Sequence, residues 1–479
     1  MITSRTSSGS QEPGRTSARR GIVPPYLLEH LASTLEDDRA ARVRESLLVD
    51  DRHRTGRAAT RSLLPSATRA GAPRRDDGTS PLRSISDARH TQDLPGDVVR
   101  SEGDAPTGDA ATDEAYDGLG ATWSLYRDVY DRDSLDGKGL ALDASVHYGE
   151  DYDNAFWDGS RMVFGDGDGR VFQRFTIAVD VIGHELTHGV TELTAGLVYQ
   201  GQSGALNESI SDVFGSLVKQ RSLGQDAASA DWLIGEGLFV PGIKGVALRS
   251  MKAPGTAYDD PAIGTDPQPA TMAGYVDTTD DNGGVHVNSG IPNHAFYLAA
   301  TAIGGDAWDG AGHVWYDVLT GGGLPSDADF ATFAQATVDA ARARFGTGSS
   351  QAQAVLGAWQ QVGLLGTGGG PSSGSGSRTG SHHDGADAPA PVVVERSGGF
   401  TGLRTCRDID LRTLPEDDAA QWRELLGSAL LQGLAPQPAQ PDRYVYRVCW
   451  APAGIDVTAA EHQLPGYVRE LFERTLHQP

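Results

Sequence analysis

The strongest constraint on how this chain can fold is a pair of helical patterns carrying metal-binding residue types at matched spacing. The first, over residues 179–192, contains His184-Glu185-Leu186-Thr187-His188. A spacing of four places both imidazoles on one helix face, about 40° apart around the axis. The second, over residues 205–219, contains Asn207-Glu208-Ser209-Ile210-Ser211-Asp212, which begins nineteen residues after His188. It can return antiparallel to the first and present Glu208 as a third ligand. Two imidazoles and a carboxylate suit Zn2+, and three protein ligands leave a fourth position for water, as in a catalytic site rather than a closed structural one. Glu185 points along the same face, within reach of a metal-bound water. Asp212 and Asn207 are placed to orient the two imidazoles from behind.

At 479 residues the chain exceeds what one hydrophobic core usually organises, so two or three folded units are expected. Residues 1–80 are rich in Ser, Arg and Pro and read as a short leading segment with a helix over about 29–48. From 81 to 178, short alternating apolar stretches between turn-rich sequences predict a β-rich lobe. From 179 to 366 helical patterns dominate, with further candidates at 290–302, 312–319, 327–345 and 351–361. Residues 367–391 have the Gly/Ser/Asp/Pro composition of a flexible linker, in which His382-His383 reads as an incidental pair. Residues 392–479 form a compact tail, with strands at 392–395 and 444–450 and helices near 416–431 and 467–476. The expected fold class is therefore α+β, a two-lobed body followed by a small α+β domain.

A formal net charge of −24 excludes a general nucleic-acid binder, because phosphate contacts need clustered Lys and Arg. The first eighty residues run the other way, with 14 Arg against 10 Asp and Glu, which suits docking on an acidic surface of the same chain. No membrane-spanning run is visible, and no conventional secretory signal. The expected location is thus the cytoplasm, or outside the cell by a non-classical route, and a monomer is expected. The two cysteines, Cys406 and Cys449, both fall in the tail, so no disulfide framework supports the body. They could bridge two strands or stay as buried thiols.

Around the histidines stand Asn154-Ala155-Phe156-Trp157, Gly165-Asp166-Gly167-Asp168-Gly169, Asp180-Val181-Ile182-Gly183, Thr194-Ala195-Gly196-Leu197-Val198-Tyr199, Leu248-Arg249-Ser250-Met251 and Asp281-Asn282-Gly283-Gly284-Val285-His286. With these motifs the chain resembles the thermolysin family of zinc metallopeptidases, in its protealysin-like branch, over roughly residues 80–366. The resemblance implies a bilobal endopeptidase with one catalytic zinc on His184, His188 and Glu208, acting on peptide or protein substrates. Glu185 would be the general base, His286 and Tyr199 the donors to the oxyanion, and Asp281 the residue orienting His286. Asn154, the backbone of Ala155, and Trp157 in the same motif would meet the substrate. Phe172, Phe175, Val181, Ile234, Leu238 and Leu248, with Arg249 at the wall, would form a pocket for a bulky apolar residue just after the cut. The family's paired calcium site maps to Asp180, Asp231 and Glu236, but two further ligand positions hold Lys219 and Leu233, which leaves room for one calcium at most. Asp131-Arg132-Asp133 and residues 165–169 resemble pieces of calcium loops and read as turns.

Both ends carry their own resemblance. Pro24-Pro25-Tyr26-Leu27-Leu28 is similar to a motif of the short propeptide of protealysin-like enzymes, which implies that residues 1 to about 75 cover the active site until cut. The tail, from Glu395-Arg396-Ser397-Gly398-Gly399-Phe400 onward, is similar to the emfourin family of small inhibitors of such enzymes. Joined through a linker of about 25 residues, an inhibitor would act at a millimolar effective concentration. An accessory substrate-binding role competes with inhibition for the tail. For the whole chain, the competing reading is a catalytically silent zinc-binding interaction or inhibitor protein, against which Glu185, Tyr199 and His286 argue, since a structural zinc needs none of them.

Overall fold

The computed structural model describes residues 21–34 and 80–365, and parts of 40–47 and 392–477. The expected linker at 367–391 with His382-His383, and most of the leading segment, lie outside the described residues. The chain divides into two compact units, Met1–Gly370 and Pro371–Pro479.

In the first unit the leading segment forms helix α1, Pro25–Thr34, earlier than the helix expected over 29–48. Pro25 takes the first helical position, where its missing N–H costs nothing, and the Pro24 carbonyl accepts from Leu27 and Leu28. Residues 40, 42–44, 46 and 47 are helical again. Leu27, Leu28 and Leu31 are buried in the same core as the rest of the unit.

Five strands build one sheet: β1 (Arg83–Asp87), β2 (Asp97–Ser101), β3 (Leu142–Val146), β4 (Ala155–Trp157) and β5 (Met162–Phe164), in the order β2-β1-β3-β5-β4. β1–β3 and β3–β5 are parallel, and the outer pairs are antiparallel. β4 is thus an edge strand.

The alternating pattern over 81–178 predicts strands, yet a 15-residue helix, α2 (Ala110–Ser124), stands there. Asp109 caps it by accepting from the Thr112 N–H at 2.8 Å. Ala111, Ala115, Leu119 and Trp123 form its buried stripe at a spacing of four. Gly118 dilutes the helical signal, but a Cβ there would stand 2.3 Å from Ile182 Cδ1, so close packing requires the glycine.

Helices α3 (Val179–Leu193) and α4 (Gly201–Leu223) form the centre of the unit. Every residue from Asp180 to Thr191 is buried. Short pairs β6/β7 (Leu233–Ile234, Arg249–Ser250) and β8/β9 (Asp259–Asp260, Gly264–Thr265) follow. Helices α5 (Asp281–Asn288), α6 (Gly290–Ile303), α7 (Ala311–Thr320), α8 (Phe330–Phe345) and α9 (Ser350–Gln361) complete the body, all but α5 close to the expected spans. Trp315 stacks on Trp359 at 6.0 Å, with Phe296 and Phe333 edge-on. No described helix is long and apolar enough to cross a membrane.

The second unit is a four-stranded antiparallel sheet, β10 (Val392–Gly398), β11 (Thr405–Ile409), β12 (Tyr444–Trp450) and β13 (Ile455–Ala460), in the order β11-β10-β12-β13. Helices α10 (Glu416–Gly427) and α11 (Gly466–His477) accompany it, and Trp422 stacks on Phe472 at 5.1 Å. Cys406 lies on β11 and Cys449 on β12, opposite Glu395 and Val393 of the intervening β10. Their backbones are therefore two strand spacings apart, roughly 9–10 Å, beyond the span of a disulfide without backbone movement.

Candidate active site between two helices and an edge strand

Close approach of α3 and α4 sets the geometry. A Cβ on Gly215 would stand 2.4 Å from the Asp180 carbonyl oxygen, and one on Gly183 would stand 3.0 Å from Gly215 Cα. With glycine at both places the helices come near enough for side chains to interlock. His184 Nδ1 donates to Asp212 Oδ1 and His188 Nδ1 to Asn207 Oδ1, each at 2.8 Å, so the helices run antiparallel. Asn207 turns its oxygen to His188 because its Nδ2 donates to the Leu197 carbonyl at 3.2 Å. With both Nδ1 atoms used as donors, each Nε2 presents a lone pair, and these two lone pairs face one another at 3.1 Å.

Glu208 closes the triangle. Its Oε2 lies 3.5 Å from His184 Nε2, and its Oε1 lies 3.4 Å from His188 Nε2. Oε2 is buried and accepts no hydrogen bond among the described residues. Two opposed lone pairs and an unmatched carboxylate oxygen, all fully buried, are unfavourable without a cation between them. The three ligand atoms lie within 4.8 Å of one another. The donor set fits zinc.

Asp212 also binds Arg249, whose Nε and Nη2 donate to its two oxygens at 2.8 Å each. Burial alone would raise the Asp212 carboxyl; Arg249 and His184 outweigh it and hold the group well below the usual carboxylate range. Two partners escaped the sequence reading: Asn293 Nδ2 donates to Asp212 Oδ2 at 2.8 Å, and the Ser211 hydroxyl lies 3.0 Å from His188 Nδ1. Asn293 stands out only as a buried amide in an apolar helix.

Glu185, on α3, accepts from the Trp157 main-chain N–H at 2.9 Å, which ties it to the end of β4. Opposite, the first half of α5 is not regular helix: Asp281, Asn282, Gly283 and Gly284 are four successive residues in the left-handed region, with φ between 51° and 83°. That turn brings Asp281 back onto His286, whose Nδ1 donates to Oδ1 at 2.6 Å and whose main-chain N–H donates to Oδ2 at 2.8 Å. His286 Nε2 then faces Glu208 Oε2 at 3.5 Å and the Tyr199 hydroxyl at 3.3 Å, while Tyr199 also donates to Glu208 Oε1. Burial would lower the His286 pKa; Asp281 and Glu208 raise it to about 9.

Beside these groups lie Ile22 and Val23 of the leading segment. Ile22 N–H donates to the Ala155 carbonyl at 3.2 Å, Val23 N–H to Asn154 Oδ1 at 3.0 Å, and Arg249 Nη1 to the Ile22 carbonyl at 3.0 Å. Ile22 is fully buried, in the same core as Phe172, Phe175, Val181, Ile234, Leu238 and Leu248. Further along, Thr34 Oγ1 donates to the Ala262 carbonyl. The sequence reading assigned this segment to the cleft as a whole and did not single out Ile22 and Val23.

Asp180 on α3, with Asp231 and Glu236 on either side of β6, converges around the ammonium of Lys219 on α4. Nζ lies 2.7 Å from Asp231, 3.0 Å from Glu236 and 3.7 Å from Asp180. Residues 165–169 form a turn in which Asp168 Oδ1 accepts from the N–H groups of Arg170, Val171 and Phe172.

Comparison with known proteins agrees with this arrangement. The thermolysin metallopeptidase catalytic-domain model matches residues 71–192, and the model of its α-helical domain matches residues 195–364. The chain belongs to the thermolysin family of metallopeptidases. It is a metalloendopeptidase of thermolysin-like fold, a sheet-rich lobe followed by a helical one, with a small extra C-terminal domain that matches the Emfourin model over residues 394–476. An extracellular metalloprotease of Pectobacterium carotovorum is 50% identical over 344 residues, 72% of this chain and 96% of that protein. A thermolysin of Alicyclobacillus acidocaldarius is 41% identical over 288 residues, 58% of this chain and 50% of that protein. Among solved structures, the precursor of protealysin, a metalloproteinase from Serratia proteamaculans, is 53% identical, covers 72% of this chain and 100% of its own, and superimposes with a TM-score of 0.66.

Proposed function

We propose that this metalloendopeptidase is a zinc enzyme cutting on the N-terminal side of bulky apolar residues, made as a precursor that its own leading segment and tail hold inactive. The observation that carries the reading is the set of bonds that Ile22 and Val23 make to Ala155 and Asn154, the groups the family resemblance assigns to substrate main chain, and to Arg249, which it places at the pocket wall. A peptide added to an edge strand in this way is held by its backbone, so many sequences are accepted. Ile22, an apolar residue buried in the same core as the pocket side chains, supports an apolar preference for that pocket.

His184, His188 and Glu208 would hold the zinc, which when bound supplies electrophilic polarisation of the scissile carbonyl and a water of lowered pKa. Glu185, oriented by the Trp157 N–H, takes a proton as the water oxygen adds to the carbonyl carbon. Tyr199 and His286 donate to the oxyanion that forms, and Asp281 keeps the His286 Nδ1–H occupied so that Nε2–H faces the cleft. As the C–N bond breaks, Glu185 delivers its proton to the leaving amine. At Asp180, Asp231 and Glu236 the Lys219 ammonium takes a cation's place, which leaves one calcium there at most.

The tail is read as a tethered inhibitor, on its match to the Emfourin model. Purified full-length protein, followed by mass spectrometry with a peptide substrate, should show a lag that ends as the leading segment is cut, with both events blocked by a zinc chelator. Full activity of the uncut chain from the first time point would overturn the covering role. Matured enzyme lacking residues 367–479 should be more active than matured enzyme carrying them; a loss confined to large substrates would mark the tail as an accessory module instead.

A further inference from the structure

Away from the helix pair, His90, His147 and Asp166 also converge, each offering one ligand atom with all three within 4.8 Å of one another. They come from three separate segments: the turn after β1, the first residue after β3, and the loop after β5. Asp166 Oδ2 lies 2.9 Å from His147 Nδ1 and 3.4 Å from His90 Nδ1. The 3.4 Å separation is that of ligands standing roughly 2.0–2.1 Å from a shared tetrahedral ion, and the 2.9 Å one, a hydrogen bond here, would open by a few tenths of an ångström to admit it. The other ring nitrogen of His147, Nε2, faces Asp109 Oδ1 at 3.3 Å. A carboxylate behind a ligating imidazole is the usual second layer of a metal centre, fixing ring orientation and raising its basicity. Asp109 is itself held in place, because it caps α2 through the Thr112 N–H.

The backbone supports the convergence. His90 and His147 both adopt left-handed conformations, with φ of 56° and 53°. The His90 N–H donates to the His147 carbonyl at 2.8 Å, which locks the two residues side by side. Their ring centroids are 5.4 Å apart. A proton on His147, shared with Asp166, would satisfy those two residues but give His90 no role. An ion engages all three.

We propose that His90, His147 and Asp166 bind a divalent transition-metal ion, zinc in the first place, at a second site separate from the centre on α3 and α4, with Asp109 as a positioning residue. Two imidazoles and one carboxylate are the donors zinc prefers over calcium or magnesium, and the exposed His90 leaves the remaining coordination open to water. The ion would staple the β1–β2 turn and the end of β3 to the loop at Asp166. That loop is tied to the cleft, since the Gly165 N–H donates to the Asn154 carbonyl at 3.0 Å.

The test uses full-length protein carrying Glu185→Gln to stop self-cleavage, equilibrated with Zn2+ at pH 7.5, with metal counted by plasma mass spectrometry. His90→Gln in that background should bind one zinc fewer per chain. Asp109→Asn, which preserves a helix cap, should weaken the same ion about 10–100-fold. Visible absorption after Co2+ substitution should lose one tetrahedral component in His90→Gln, and added Zn2+ should raise the melting midpoint of the parent but not of this variant. Equal zinc counts and equal cobalt spectra for the parent and His90→Gln would overturn the proposal.

Discussion

Helices α3 and α4 contribute to two clusters of polar groups that meet the same electrostatic demand in opposite ways. Around Asp180, Asp231 and Glu236 the chain supplies the cation itself, as the Lys219 ammonium. Around His184, His188 and Glu208 no lysine enters: the imidazole lone pairs oppose one another and, among the described residues, Glu208 Oε2 accepts no hydrogen bond. The first cluster is closed, because a lysine fills it with a fixed charge and no open coordination position. The second remains open to an ion that can bind a fourth ligand, the requirement for chemistry. One helix pair thus separates structural from reactive use of positive charge, and each use can be broken without the other.

The largest effect is expected at the open cluster. His188→Ala should remove the zinc of this centre and reduce peptide hydrolysis to background. Glu185→Gln should retain that zinc and lower kcat by about 10²–10⁴-fold. Zinc content and turnover measured on the same samples separate these outcomes, and a Glu185→Gln enzyme that kept its turnover would break the assignment of the base. At the closed cluster, Lys219→Met should leave hydrolysis at low temperature nearly intact but lower stability. A buried charge stripped of its partner costs about 3–5 kcal/mol; Asp231 and Glu236 are partly exposed, and solvent screening reduces the figure to about 2 kcal/mol. Lys219→Glu should make the melting midpoint calcium-dependent, which melting curves with and without millimolar calcium would show.

These two clusters also differ in how far the sequence revealed them. His184, His188 and Glu208 were legible because helical spacing is local, and the antiparallel return of α4 follows from the number of residues between them. At Asp180, Asp231 and Glu236 the residues were legible only through resemblance, since three carboxylates scattered over 57 positions carry no periodic signal. Helix α2 was missed because its packing against Ile182 requires Gly118, which weakens the pattern that announces a helix. Strands β11 and β13 were missed for a different reason: Thr405–Ile409 and Ile455–Ala460 are short and mixed in polarity, and gain their strand character by pairing with β10 and β12. Which backbone groups Ile22 and Val23 meet depends on an edge strand more than a hundred residues away, which no local pattern announces.

A pH experiment sharpens the contrast further. Burial raises the Asp180 carboxyl to about 6, against the opposing pull of Lys219. Between the unfolded carboxylate range near 4 and a pH of about 6, the folded state therefore binds more protons than the unfolded state. Its contribution to stability is full below that window and falls as pH rises through it, by about 2–3 kcal/mol in total. Asp180→Asn should flatten this part of the stability profile, which denaturant unfolding from pH 4.5 to 7 would measure as the difference between variant and parent. Identical slopes would mean that Lys219 keeps Asp180 ionised throughout.

The smallest expected effect tests whether the clusters are as separable as this comparison holds. Gly215 lies against α3 between them, and the Cβ of Gly215→Ala would meet the Asp180 carbonyl oxygen at 2.4 Å and the His184 main-chain nitrogen at 3.0 Å. Backbone atoms cannot rotate away as a side chain can, so the helices must separate, at about 1–3 kcal/mol. Moving α4 outward carries Glu208 and Lys219 with it. The loosened metal centre should lose zinc affinity, because its ligands must stand at near-fixed distances from the ion. The lysine cluster should hardly respond, because a flexible four-carbon side chain can follow its carboxylates. Zinc affinity falling while the Asp180 pH profile stays unchanged would show that rigidity belongs to the open site alone; a parallel change in both would show that α3 and α4 form one electrostatic unit.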